Sequence, residues 1–150
     1  MIIRRAQPVD IQRIYEIHMS AISELCQRDY APEQINAWTS NRTPEGYLAR
    51  IQNFLFFVAE IGGIIVGFAR YSTKSKEFCS LYVDPAHIRQ GIATALVQYV
   101  FKDAQTRGLD HMWLDSSLTA VPSYISVGFQ AEKNMTHRFQ GVPLECSECR

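Results

Sequence analysis

Residues 78–96 read FCSLYVDPAHIRQGIATAL, a pattern of a strand, a short loop and the start of a helix. The apolar and aromatic residues up to Val83 favour a strand, which ends at Pro85 because proline has no N–H for a strand ladder. From Ile92 onward, apolar residues recur about every four positions, as they do on the buried face of a helix. The stretch therefore predicts that Gly91 lies at the N-terminus of a helix.

This helix start has the properties of a phosphate-binding site. Helix N-termini present unpaired backbone N–H groups and the positive end of the helix dipole. Gly91 and Ala93 keep side-chain bulk away from those groups, so a phosphate can approach the backbone. A glycine at such a junction is also common in plain turns, and Gly-x-Ala alone is a weak signal. Neither a Walker A loop nor a Rossmann fingerprint occurs in the sequence.

The composition is that of an ordinary globular domain. The 150 residues are 47% hydrophobic and 20% charged, and 15 basic residues balance 15 acidic ones. This balance gives no sign of a surface for nucleic acid or membrane. The longest apolar runs have the length of a strand, and Arg4-Arg5 interrupts the N-terminal one. We therefore expect neither a membrane span nor a signal peptide, and a cytoplasmic location.

The hydrophobic pattern predicts elements in the order β-α-α-α-β-β-β-α-β-α-β-β. Thr43-Pro44 is typical of the start of the third helix, and Gly62-Gly63 of a tight hairpin between two strands. A strand is predicted at residues 111–114, and another begins at Gly128-Phe129. The last strand falls within residues 136–149. No repeat or linker interrupts this order, which indicates a single domain.

Two stretches resemble motifs of the GNAT superfamily, the acetyl-CoA-dependent N-acetyltransferases. Residues 81–96, with Leu-Tyr-Val-x-Pro followed by Gly-Ile-Ala, resemble motif A, whose backbone amides hold the CoA pyrophosphate. The match departs from the family at Ile88, where the motif carries Arg or Gln. Residues 121–129 resemble motif B, a tyrosine followed by Gly-Phe, with Ser123 where the family often has Phe.

The predicted order of elements is also similar to the GNAT fold over nearly the whole chain. The resemblance implies one GNAT domain over residues 1–150, of the α/β (α+β) class. Its fold would be a central, mostly antiparallel mixed sheet of about seven strands with helices on both faces. It further implies an N-acetyltransferase that uses acetyl-CoA as co-substrate and no metal. Homodimers are common in the family.

The resemblance assigns roles in acetyl transfer to a primary amine of a small molecule or peptide. Direct attack in a ternary complex needs a base for the amine, a donor for the oxyanion and an acid for the thiolate. Tyr124, in motif B, is the implied acid, and Glu77, at the start of the motif A strand, is the implied base. The implied cofactor-binding residues are Leu81, Tyr82, Val83, Ile88, Arg89, Gln90, Gly91, Ile92, Ala93 and Thr94.

The acceptor side carries a weaker signal. Glu24, Tyr30, Trp38 and Asp115 are the candidates for binding the acceptor amine. Tyr30 and Trp38 suit core packing equally well, and Asp115 equally suits the cap of a turn. His18 shares the apolar face of the first helix, a position more typical of a buried, hydrogen-bonded histidine.

Two other functions stay open at this point. One is an acyl-CoA-binding module that keeps the fold and lacks turnover; Ile88 favours it and Tyr124 argues against it. The other is a redox or metal protein that acts through Cys146 and Cys149. This C-x-x-C stands without a second pair to complete a zinc site, so two ordinary thiols are the simpler interpretation.

Overall fold

In the computed structural model, the backbone is described for residues 1–139 and 142–149, and the side chains for residues 1–131. The helices of this part of the chain are α1 (Ile11–Leu25), α2 (Pro32–Thr39), α3 (Gly46–Asn53), α4 (Ile92–Thr106) and α5 (Val121–Ser126). Its strands are β1 (Ile2–Arg5), β2 (Leu55–Ile61), β3 (Ile64–Ser72), β4 (Glu77–Val83), β5 (Leu114–Ser117), β6 (Ala131–Phe139) and β7 (Val142–Cys149). None of these helices combines the length and the apolar character needed to cross a membrane.

The strands form two antiparallel sheets that meet at one point. The first has the order β1-β2-β3-β4 and the second the order β5-β7-β6. Within the described backbone they are joined by a parallel bridge between Glu77 and Trp113, where Phe78 N donates to Trp113 O at 2.9 Å. Beyond this bridge β4 and β5 share no ladder, so a cleft opens between them. The predicted α/β fold is confirmed, but its sheet is divided rather than continuous.

Helices cover both faces of the first sheet because its inner strands are apolar on both faces. Phe57 and Ala59 of β2 belong to a buried cluster that includes Leu96 of α4. Phe56 and Val58, the alternate residues of the same strand, belong to a second cluster with residues of α1 and α3. This alternation is the two-residue period of a strand. The core therefore lies in two layers, one on each side of the sheet.

Several elements begin later than the sequence predicts. β5 begins at Leu114 because its ladder is set by pairing with β7 rather than by its own apolar residues. β6 begins at Ala131, since Gly128 has a φ of 112° and closes the turn after α5. α3 begins at Gly46, after a turn in which its N–H bonds to Thr43 O at 3.2 Å. Strand pairing and local turns override single-residue propensity at these points.

The approach of α4 to the sheet depends on Gly67 in β3. A Cβ at this position would lie 3.1 Å from Ile92 Cγ2, 3.1 Å from the Tyr82 carbonyl oxygen and 3.3 Å from Leu96 Cδ1. These distances are shorter than the optimum of about 3.5–4.0 Å for non-bonded atoms. Glycine therefore allows the first turn of α4 to pack directly on β3 and β4.

We expect Gly67→Ala to lower the free energy of unfolding by about 1–3 kcal/mol, because the new methyl group would force the helix and sheet apart. Gly46→Ala is the matched control, since the nearest atom to its Cβ would be Thr43 Oγ1 at 3.9 Å. Its stability should stay the same or rise slightly. Urea denaturation measures the free energy of unfolding of both variants. Equal free energies for the two variants would contradict the tight contact described for Gly67.

Candidate active site

A cavity of about 350 Å³ lies where β4 and β5 diverge, and we call it the cleft cavity. Its walls come from α1, the end of β4, the first turn of α4, and α5. Its lining includes every predicted cofactor-binding residue except Gln90, which is exposed and does not contact the cavity. The included residues are Leu81, Tyr82, Val83, Ile88, Arg89, Gly91, Ile92, Ala93 and Thr94.

The start of α4 leaves room for an anion at this cavity. Gly91 is the N-cap residue and has a φ of 77°, in the left-handed region that favours glycine. No side chain caps α4 in the described chain, and the first amides of a helix have no intrahelical acceptor. A Cβ at Gly91 would meet nothing within 4 Å, so no described atom crowds the position beside the helix start. The residues present therefore fit a phosphate group.

Tyr124 lies in the α5 wall of the cleft cavity. Only 6% of it is exposed, and its ring packs edge-to-face against Phe78 at 5.9 Å and Phe129 at 5.8 Å. These contacts fix the plane of the ring. The predicted acid and the predicted phosphate-binding turn therefore line the same cavity.

A second cavity, of about 150 Å³, lies between α1, α3 and the strands β3 and β4. Arg42, Arg50 and Arg70 line it, and we call it the arginine cavity. The three residues come from the loop after α2, from α3 and from β3, respectively. Trp38, a predicted acceptor-binding residue, also lines it. Tyr82 lines both cavities, so the two are neighbours across β4.

His18 lies in the lining of the arginine cavity and is only 5% exposed. A hydrogen bond of 2.5 Å joins its Nδ1 to the Tyr47 hydroxyl. Burial lowers the pKa of His18 well below the ordinary value, and the positive charges of Arg42, Arg50 and Arg70 lower it further. The imidazole is therefore neutral at pH 7, and the predicted buried, hydrogen-bonded histidine is confirmed.

The predicted base, Glu77, opens β4 but lines neither cavity. Burial raises its pKa and the nearby Asp115 carboxylate raises it further, whereas Arg70 acts in the opposite direction. Asp115 lies on β5 and is half-buried. These two predicted site residues are therefore electrostatic neighbours across the point where β4 and β5 meet.

The remaining acceptor candidates lie apart from the cavities. Glu24 is exposed on α1 and belongs to neither lining. Tyr30 is buried, its hydroxyl accepts a hydrogen bond of 2.9 Å from Leu118 N, and its ring packs edge-to-face on Trp38 at 5.5 Å. Tyr30 thus packs in the core, the alternative that the sequence left open for it.

The cysteine hypothesis falls partly outside the described structure. Cys146 and Cys149 belong to β7, but their side chains lie outside the described residues. Cys26 and Cys79 are free thiols. Among the described residues, no group of three His, Cys, Asp or Glu side chains could hold a metal ion.

Sequence reasoning missed the three arginines because no motif connects them. One signal was present: Arg70 interrupts the otherwise apolar run IIVGFA in β3, where a charged residue is unusual. A β-bulge in β4 was also missed. Tyr71 pairs with Phe78 but Arg70 pairs with Ser80, so Cys79 is the extra residue. The bulge lets the adjacent Cys79 and Ser80 both line the arginine cavity.

Comparison with known proteins agrees with this geometry. A family model described as an acetyltransferase (GNAT) domain matches residues 26–145. The chain belongs to the GNAT family of N-acetyltransferases. It is 30% identical over 140 residues to the uncharacterized N-acetyltransferase YafP of Escherichia coli, covering 93% of this chain and 88% of that protein.

Solved GNAT structures have the same fold. A GCN5-related N-acetyltransferase from Rhodopseudomonas palustris superposes with a TM-score of 0.93 at 27% identity, covering 99% of this chain and 92% of the other. YncA of Salmonella typhimurium, a protein solved with acetyl-CoA, superposes with a TM-score of 0.69 at 23% identity, covering 99% and 91%. Together with the family match, these similarities confirm a GNAT-type N-acetyltransferase.

We expect the His18 ring to stay neutral through the neutral pH range, because burial and three positive charges oppose its protonation. Histidine NMR resonances followed against pH measure this directly. Arg50→Gln should move the His18 pKa upward, since it removes one positive charge, whereas Arg107→Gln, at the exposed end of α4, should leave it unchanged. A His18 ring that titrates near the usual value of about 6.5 would contradict the burial described here.

Proposed function

We propose that this GNAT enzyme transfers the acetyl group of acetyl-CoA to a primary amine by direct attack in a ternary complex. The observation that carries the proposal is that one cavity is lined by both the Gly91 turn and Tyr124. A binding module without turnover would need the first of these features but not the second. The acceptor would be the amine of a small molecule or a peptide.

The cleft cavity suits the pyrophosphate and the pantetheine arm of CoA. The amides of the α4 start would bind the pyrophosphate, where the helix dipole also favours negative charge. Among the described strands, Leu81 to Val83 have no partner on the side that faces β5, so their backbone groups can pair with the pantetheine arm as an added strand would. The acetyl-CoA bound to YncA of Salmonella typhimurium supports this choice of co-substrate.

Acetyl transfer forms an N–C bond and breaks the C–S bond of the thioester. Backbone N–H groups of β4 would hold the oxyanion, and the Tyr124 hydroxyl would give its proton to the departing thiolate. Glu77 would accept the amine proton, directly or through a water molecule. Its raised pKa, caused first by burial and then by Asp115, suits that role because a base works best when its pKa lies near the working pH.

Calorimetry with acetyl-CoA tests the phosphate-binding turn. We expect Gly91→Glu to bind at least about tenfold more weakly than Gly91→Gln, because only the first adds a negative charge beside the pyrophosphate. The two variants share the same backbone strain, since Gly91 has a φ of 77° and both replacements are of similar size. Equal binding by the two variants would exclude a phosphate at this turn.

Steady-state kinetics test the acid. Tyr124→Phe should lower kcat by about 10²-fold or more and leave acetyl-CoA binding unchanged, because the ring is kept and only the proton donor is lost. Tyr99→Phe is the matched control, since Tyr99 is 39% exposed on α4 and lines neither cavity. An unchanged kcat in Tyr124→Phe would remove the tyrosine from the mechanism.

A further inference from the structure

We infer that the arginine cavity binds the acceptor and that this acceptor is a primary amine carrying a carboxylate. This inference rests on the proposed function and names the acceptor class of the same site. It follows from how the three guanidinium groups are held, from what surrounds them and from the position of the cavity beside β4.

The guanidinium groups are fixed by neutral partners. Arg42 Nε donates to Trp38 O at 3.0 Å. Arg50 lies over the Tyr47 ring, 5.1 Å from its centroid. Arg70 lies over the Phe54 ring at 4.6 Å, and its Nη2 donates to Ser80 Oγ at 3.2 Å. These contacts orient the three groups, and none of these partners carries a charge.

Among the described residues, no acidic side chain lines the arginine cavity, and no carboxylate forms an ion pair with any of its three arginines. Arg70 Nε is moreover buried without a hydrogen-bond acceptor among the described residues. Half-buried positive charges without counter-charges are unfavourable, because the protein replaces the water that would solvate them. An anion bound in the cavity would offset part of this positive charge.

A carboxylate fits this set of donors. The planar guanidinium group pairs with a carboxylate through two parallel hydrogen bonds. The volume of about 150 Å³ is comparable to cavities that hold a benzene-sized molecule, so there is room for a carboxylate and a short aliphatic segment. The bound molecule would be small at this end.

The cavity also lies where an acceptor must lie. The β4 residues that line the arginine cavity are Cys79, Ser80 and Tyr82. Leu81, which lies between Ser80 and Tyr82 in the chain, lines the cleft cavity. An acceptor held in the arginine cavity and a thioester in the cleft cavity would therefore reach β4 from neighbouring positions. The carboxylate would bind the arginines while the amine pointed toward β4.

Paired substrates test the inference. We would measure release of CoA from acetyl-CoA with α- and ω-amino carboxylates of increasing length and with the carboxamide of each. For at least one pair, kcat/KM should be about 10- to 100-fold higher for the carboxylate, the range expected for hydrogen bonds between charged groups. Equal use of carboxylates and carboxamides would overturn the inference.

Arginine variants identify the site. Arg50→Gln and Arg70→Gln should each lower kcat/KM for the carboxylate by about tenfold or more relative to any change for the carboxamide. Arg50→Lys should recover part of the loss because it keeps the charge. Arg107→Gln is the control, since Arg107 is exposed and lines neither cavity. An equal loss for both substrates would indicate a structural role and contradict the inference.

A binding measurement separates this inference from the proposed reaction. Trp38 lines the arginine cavity. The chain has 2 tryptophans, so in the Trp113→Phe variant all tryptophan fluorescence comes from Trp38. The same amino carboxylates should change the Trp38 fluorescence of the Trp113→Phe variant. They should not change it in the double variant that also carries Arg70→Gln. Binding without CoA release would keep the anion site and contradict the proposed reaction. If the amino carboxylates do not bind and turnover shows no preference for carboxylates, the anion site itself is contradicted.

Discussion

The architecture depends on the short contact between β4 and β5. The parallel bridge between Glu77 and Trp113 joins the two sheets, and the strands then separate because β5 takes β7 as its ladder partner. In the described part of the chain, the backbone of β4 beyond the bridge has no strand partner on that side. An unpaired strand edge in a protein interior needs hydrogen-bond partners, which a bound ligand can supply. The open strand edge is thus a binding surface made by the topology itself.

β4 serves two cavities because successive side chains of a strand point to opposite faces. Leu81 and Val83 face the α4 side and join its core, whereas Tyr82 packs with His18 and Phe68 on the α1 side. The bulge at Cys79 shifts this alternation once, so that two consecutive residues line the arginine cavity. Gly67 complements this division by letting α4 pack tightly against the same strand.

The two sides of the site differ in how far the sequence reveals them. The cofactor side is local: the end of β4, the left-handed Gly91 and the start of α4 follow one another in the chain, so their spacing predicts their geometry. Tyr124 was predictable because a second motif surrounds it. The proposed acceptor side joins Arg42, Arg50 and Arg70 from three separate elements, and only the folded chain brings them together. Glu24 is exposed on α1 and lines neither cavity, which its position in the sequence alone did not reveal.

The net charge gave no sign of the arginine cavity, because it sums the charges of the whole chain without regard to their positions. The chain has a formal net charge of +0, yet three positive charges face one small cavity whose described lining contains no acid. The positive field that adds to burial in keeping His18 neutral acts on any ionisable group placed beside it, and it disfavours an ammonium ion as it disfavours an imidazolium. A carboxylate bound to the arginines would weaken that field at its own position but not abolish it. The cavity would therefore attract an acceptor by its anionic end and at the same time favour the neutral, nucleophilic form of its amine.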